Sequence, residues 1–169
     1  MTDPADPGRP GAGLDGALDG PGHLSGDLLE RHRWVAVPVE SASHFTEGDA
    51  RILSDAVRAT GVTTLLALAA EELRNFPSCF EVPVTPEGLL AFSWAVSHFN
   101  FALSSPGTPF VLLCTVYDYY LVAGPVEFVR RAVGGDISAA RQLFDEFADG
   151  SSRYDSGRLS AVAQRYRRR

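Results

Sequence analysis

At 169 residues, with 45% apolar and 21% charged side chains, the chain is the size of one domain and can build a core, which excludes disorder throughout. The net charge is -6, and every basic residue is an arginine. The absence of lysine removes Schiff-base and pyridoxal chemistry and the phosphate-binding lysine loop, and the Ala, Gly, Pro, Asp and Arg bias reads as the habit of a GC-rich bacterial genome.

Charge is divided along the chain. Residues 1–30 hold six acids and one arginine, whereas residues 158–169 hold five arginines and no acid. An acidic body repels polyanions, so nucleic acid is expected to engage only through the tail arginines Arg165, Arg167, Arg168 and Arg169, which suit an acidic partner equally well. Residues 1–30 are expected to form a disordered acidic arm rich in Gly and Pro, 31–150 a single domain, and 151–169 a basic C-terminal helix or tail. Within the arm, Leu14, Leu18, Leu24, Leu28 and Leu29 are the residues able to dock, with a weak helical turn at 28–33. The early acids and the absence of an apolar leader predict a cytoplasmic protein. The apolar stretch at 89–103 is interrupted by Ser93, Ser97, His98 and Asn100 and falls short of the roughly 20 residues that span a bilayer, so no membrane is expected.

The first strand is predicted at 34–39, where Pro38 cannot donate to a ladder, so the strand lies at an edge or ends there. Thr46-Glu47-Gly48-Asp49 has the form of a helix start in which hydroxyl and carboxylate cap each other's backbone, and Ile52, Leu53, Ala56 and Val57 then make an apolar stripe that Gly61 closes. Residues 62–69 read as a buried strand. Another follows at 79–84, with Pro83 again implying a free edge. Thr85-Pro86 caps a helix predicted to run from 86 to about 104, with Ser93, Ser97, Asn100 and Ser104 as a narrow polar stripe and the rest enclosed. Residues 110–117 and 119–123 form strands joined at Tyr117 to Tyr119, either as a hairpin or as one bent strand. Helices at 126–133 and 138–148 surround a Gly134-Gly135-Asp136 turn; in the second, Ile137, Leu143, Phe144 and Phe147 give the apolar face. Residues 155–169 form a last, fraying helix.

The order β-α-β-β-α-β-β-α-α predicts an α+β fold, an antiparallel sheet of about five strands covered by helices. Its first six elements match the split β-α-β run of ferredoxin-like domains, with helices appended at the C-terminus. Topology alone carries no function.

Cys79 and Cys114 lie in strand-like runs without metal-ligand spacing and read as small core residues; neither a metal nor a cofactor is implied. Glu71 and Glu72 diverge on any helix and do not form a pair. No hydrolase, zincin or calcium-loop motif is present, which favours a non-catalytic interaction or regulatory module, immunity-type or adaptor-like, that binds another protein. Tyr117, Asp118, Tyr119 and Tyr120 are the expected contact surface, as rigid aromatics at a hairpin tip. The alternative is a small enzyme or ligand binder with a pocket around Asp118, His98 and Tyr119, with Asp118 and His98 as weak catalytic candidates and His98 inside the long helix.

Overall fold

The computed structural model describes residues 16–74, 76–107 and 109–167. Six helices and six strands follow one another as α1 (Gly26–His32), β1 (Val35–Glu40), α2 (Glu47–Arg58), β2 (Thr64–Ala69), β3 (Cys79–Pro83), α3 (Pro86–Ala95), β4 (Phe101–Ser104), β5 (Val111–Cys114), β6 (Tyr119–Gly124), α4 (Val126–Ala132), α5 (Ile137–Ser151) and α6 (Arg158–Tyr166). The strands form one sheet in the order β1-β6-β5-β4-β2-β3, and every neighbouring pair is antiparallel. The α+β class holds. A split β-α-β unit keeps one strand between its first two; here three strands separate β1 from β2.

The two prolines fix the sheet's limits. Pro38 lies in β1 and Pro83 in β3, and these are the two edge strands. A residue without an N–H is tolerated where its donor side faces outward.

Alternation along the strands sends side chains into two separate cores. On one face, Val37, Leu65, Phe101, Leu112, Tyr120 and Val122 pack with residues of α2, α3 and α4. On the other, Ala36, Leu113, Tyr119 and Leu121 pack with α1, α5 and α6. All six residues of β6 are buried, because this strand is covered on both sides. Among the described residues, no helix is long and apolar enough to cross a membrane.

The capping signals are realised as chemistry demands. The Thr46 hydroxyl accepts from the Asp49 N–H while the Asp49 carboxylate accepts from the Thr46 N–H, and Thr85 accepts from the Gly88 N–H at the start of α3. Gly88 has a second role: a Cβ there would come within 2.4 Å of the Pro83 carbonyl oxygen, so helix and strand meet this closely only over glycine.

The long helix expected at 86–104 is not formed. Helix α3 stops at Ala95, and Phe101–Ser104 is the strand β4, which raises the strand count from about five to six. Phe101, Ala102 and Leu103 are buried against both faces of the sheet, so they carry no alternation that would separate a strand from an enclosed helix. Asn100 fixes the switch. Its backbone N–H and side-chain amide donate to Glu71 Oε1 at 3.1 and 2.9 Å, and its Oδ1 accepts from the Val116 N–H at 3.0 Å. The supposed polar stripe therefore has no common face: Ser93 is buried and accepts from the Phe45 N–H, whereas Asn100 joins three chain segments.

Both ends of the described chain pack onto the domain, the C-terminal one as the helix α6 within the expected 151–169 segment. The described part of the N-terminal arm is packed: Leu18 and Leu24 bridge each other, and Leu24 and Leu29 are buried against the second core. The expectation for residues 1–15 lies outside the described residues. Helix α6 is not a fraying tail either, since Tyr166 is fully buried and its hydroxyl accepts from the Leu24 N–H at 3.0 Å. Arg165 secures the same junction through Asp19 at 2.7 Å and the Leu24 carbonyl at 3.1 Å.

That junction sets the stability of the second layer. Tyr166→Ala should cost about 3–5 kcal/mol by emptying a large buried site. Tyr166→Phe should cost about 1–3 kcal/mol, because the buried Leu24 N–H loses its acceptor. Urea unfolding should show both as lowered midpoints, and an unshifted midpoint for Tyr166→Phe would mean that α6 is not seated through this bond.

Candidate functional site

Strand β6 carries adjacent tyrosines to opposite layers. The Tyr119 hydroxyl donates to the Gly22 carbonyl at 2.7 Å on the side of α1 and α6, and its ring meets Phe144 edge-on. The Tyr120 hydroxyl donates to Asp49 Oδ1 at 3.0 Å on the side of α2, and its ring meets Phe45 edge-on. Both rings are buried, at 1% and 3% exposure, so Tyr119 and Tyr120 do not form the aromatic contact surface expected from the sequence. The hairpin between β5 and β6 is real, with Asp118 exposed in the left-handed region at φ 65 and Tyr117 half-buried beneath the guanidinium of Arg158, 5.0 Å from the ring centre. A strand's two-residue period, not the turn, decides where each tyrosine points.

The pocket imagined around Asp118, His98 and Tyr119 is not assembled. His98 stands exposed in the turn after α3, the Tyr119 phenol is committed to Gly22, and no hydrogen bond joins His98 to Asp118 among the described residues. Trp94, expected inside the helix, is 60% exposed and stacks on His44 with ring centres 4.0 Å apart. Arg165 and Arg167 are held by Asp19 and Asp145, while Arg168 and Arg169 lie outside the described residues. Cys79 and Cys114 are free thiols in β3 and β5; burial pushes the Cys114 thiol up to about 12. Among the described residues, no three His, Cys, Asp or Glu side chains are placed to hold a metal ion.

A different concavity is formed where β1 ends. A groove of about 670 Å³ opens between α2, the turn from α4 to α5, and the first half of α5. Its walls include Val39, Ile52, Val133, Leu143 and Phe144, and Tyr120 reaches it from the sheet. Helix α5 makes the outer wall because it straddles the sheet edge: Ile137 and Ala140 pack on the first core, whereas Phe144 and Ala148 belong to the second. Arg141 ties the helix there by donating to the Ala36 carbonyl at 3.2 Å. Gly134 and Gly135, at φ 82 and 112, make the turn that brings α5 back, and Asp136 caps it by accepting from the N–H groups of Ser138 and Ala139.

The sequence places Leu143 on the buried face of its helix; in the structure it is 66% exposed on the groove's wall, and Ile52, also in its lining, is 39% exposed. Polar groups gather at one end. Asp49 accepts from the Thr46 N–H at 2.9 Å, the Thr46 hydroxyl at 2.6 Å and the Tyr120 hydroxyl. Burial, and after it the Asp49 charge, hold the Tyr120 phenol well above its ordinary value.

A second cleft of about 500 Å³ adjoins the groove, lined by Asp118, Phe147, Tyr154, Asp155 and Arg158. Glu40, Ser41 and Ala42 line both spaces, so the two lie side by side at the end of β1. Asp155 is committed to the N–H groups of Leu159 and Gly157, which hold its carboxyl below the ordinary range.

The buried phenols give a pH dependence of known sign. Burial raises Tyr119, Tyr120 and Tyr166 above the ~10 of an unfolded tyrosine. The unfolded chain then sheds these protons first, so stability is complete below pH ~10 and is lost as pH rises further. Tyrosinate absorbance from these residues should appear together with the loss of circular dichroism. Tyr120→Phe should make that alkaline fall shallower and cost about 1 kcal/mol at neutral pH, where Asp49 loses a donor. A fall of unchanged steepness would contradict this assignment.

Comparison of the chain with protein-family models, with curated proteins and with solved structures returns no match.

Proposed function

We propose that this chain is a non-catalytic interaction module of the cytoplasm, and that it holds apolar side chains of a partner protein in the groove between α2 and α5. The observation that carries this reading is the exposure of Leu143 and Ile52, at 66% and 39%, in the lining of one concave space. Large aliphatic side chains scattered singly on a surface need no explanation, but two that line one concavity together with a buried aromatic suit a contact site. The chemistry of the lining agrees. The groove residues include no histidine, cysteine or arginine, and the Thr46 hydroxyl and the Asp49 carboxylate are engaged in the start of α2.

A second reading draws support from the size of the groove, which falls within the roughly 300–1,000 Å³ of small-molecule pockets. In that case an apolar metabolite takes the place of the partner's side chains, and thermal-shift screening would find it through a raised melting temperature.

Leu143→Arg tests the principal reading, since an exposed position accepts the change without loss of fold. A photo-crosslinking residue at position 143 should join the chain to one discrete partner. Capture of that partner should fall by ~10-fold or more with Leu143→Arg, the effect of losing an interface anchor. Capture that survives this substitution in a folded protein would refute the groove as the contact site.

A further inference from the structure

We infer that the groove and the adjoining cleft together bind a cationic segment of the partner, in which an apolar residue fills the groove and a flanking arginine or lysine meets Glu40. This rests on the reading of the groove as the partner site and specifies what enters it.

The path is set by shared walls. Glu40, Ser41 and Ala42 border both spaces, so a chain that leaves the groove toward the cleft passes the end of β1. The charge along that path is mostly negative. Glu40, Asp49 and Asp136 line the groove, Asp118 and Asp155 line the cleft, and Arg158 is the single basic residue in either lining. These acids are not equivalent. Asp49, Asp136 and Asp155 spend oxygens on the N–H groups that start α2, α5 and α6. Arg158 is turned over the Tyr117 ring. Glu40 is exposed, and its side chain has neither a hydrogen bond nor an ion pair among the described residues. The Asp118 carboxylate in the cleft is likewise exposed and without a side-chain bond among the described residues, but Glu40 borders both spaces and so is placed to meet a segment that runs from one to the other.

The same charges decide against other occupants. Residues 1–30 of this chain carry six acids and one arginine, and a second copy brings a net charge of -6; both are repelled by an acidic channel. A basic segment is attracted from a distance and is registered by the apolar anchor on contact.

The test uses the full chain and random dodecapeptides displayed on phage, followed by anisotropy measurements on the enriched peptides. The enriched sequences should pair an aliphatic or aromatic residue with arginine or lysine. Glu40→Lys should weaken their binding ~10-fold near 0.01 M salt, and the effect should fade near 1 M, where screening falls to about 3 Å. Glu40→Gln should weaken it less, and circular dichroism should show both variants folded, as expected for an exposed position. Enriched peptides that are neutral or acidic, or binding that Glu40→Lys leaves unchanged while Leu143→Arg abolishes it, would overturn the cationic assignment and leave the groove standing. Failure to enrich any peptide, or peptides indifferent to Leu143→Arg, would overturn the groove reading and this inference with it.

Discussion

The fold depends on a sheet that is buried on both faces at β6. A strand in that position must satisfy two cores at once, and Tyr119 and Tyr120 do so with one polar bond on each side. The bond to Gly22 holds the N-terminal segment, which then supplies Leu24 to the hydroxyl of Tyr166 and so anchors α6. The bond to Asp49 holds the start of α2. A phenol is suited to this task because its ring belongs to the core and its hydroxyl reaches past it. Through these two side chains, the layers on either side of the sheet are referred to a common frame.

That frame also explains where the groove lies. The sheet ends at β1, and the layers on its two faces have to be joined around that edge. Helix α5 makes the join, since its first turns lie on one core and its middle on the other. A straight helix cannot follow a sheet edge closely along its whole length, and the space left between α5, α2 and the end of β1 is the groove. Leu143 is exposed for the same reason: it sits where the helix passes from one core to the other, next to Phe144, which points into the second.

Local chemistry was legible in the sequence. Pro38 and Pro83 marked the edge strands, Thr46 and Thr85 marked helix starts, and Gly134-Gly135-Asp136 marked a turn, because each acts through its own backbone or that of residues a few positions away. What could not be read were features made by distant residues. Phe101 to Leu103 became a strand because Glu71 and Val116 hold Asn100 at its start, and both lie far away in the chain. Residues 16–30 were expected to be flexible on composition, yet a few leucines and two bonds to α6 outweigh the cost of ordering them. The candidate site was illegible in the same way. Its walls come from α2, β1 and α5, and no local pattern distinguishes Leu143 from a core leucine. The aromatic run at 117–120 drew attention instead because it is conspicuous in sequence, while the sheet turns two of its members inward.

Several buried ionisable groups serve the fold. A catalytic acid or base is useful when its pKa lies near the working pH, and enzymes shift such groups toward neutrality. Four buried groups here move the other way. Cys114, Tyr119, Tyr120 and Tyr166 are raised from values already above neutrality, each with burial as its first cause, so in the working range each stays protonated and unreactive. Asp19 and Asp155 are lowered by hydrogen bonds from Arg165 and from the start of α6, so both stay charged and committed. Of these groups, Asp19, Tyr119, Tyr120 and Tyr166 join separate segments of the chain. The proposed contact site draws instead on the surface, where the exposed Leu143 and Ile52 line the groove together with Tyr120 and with Glu40, whose carboxylate has no bond among the described residues.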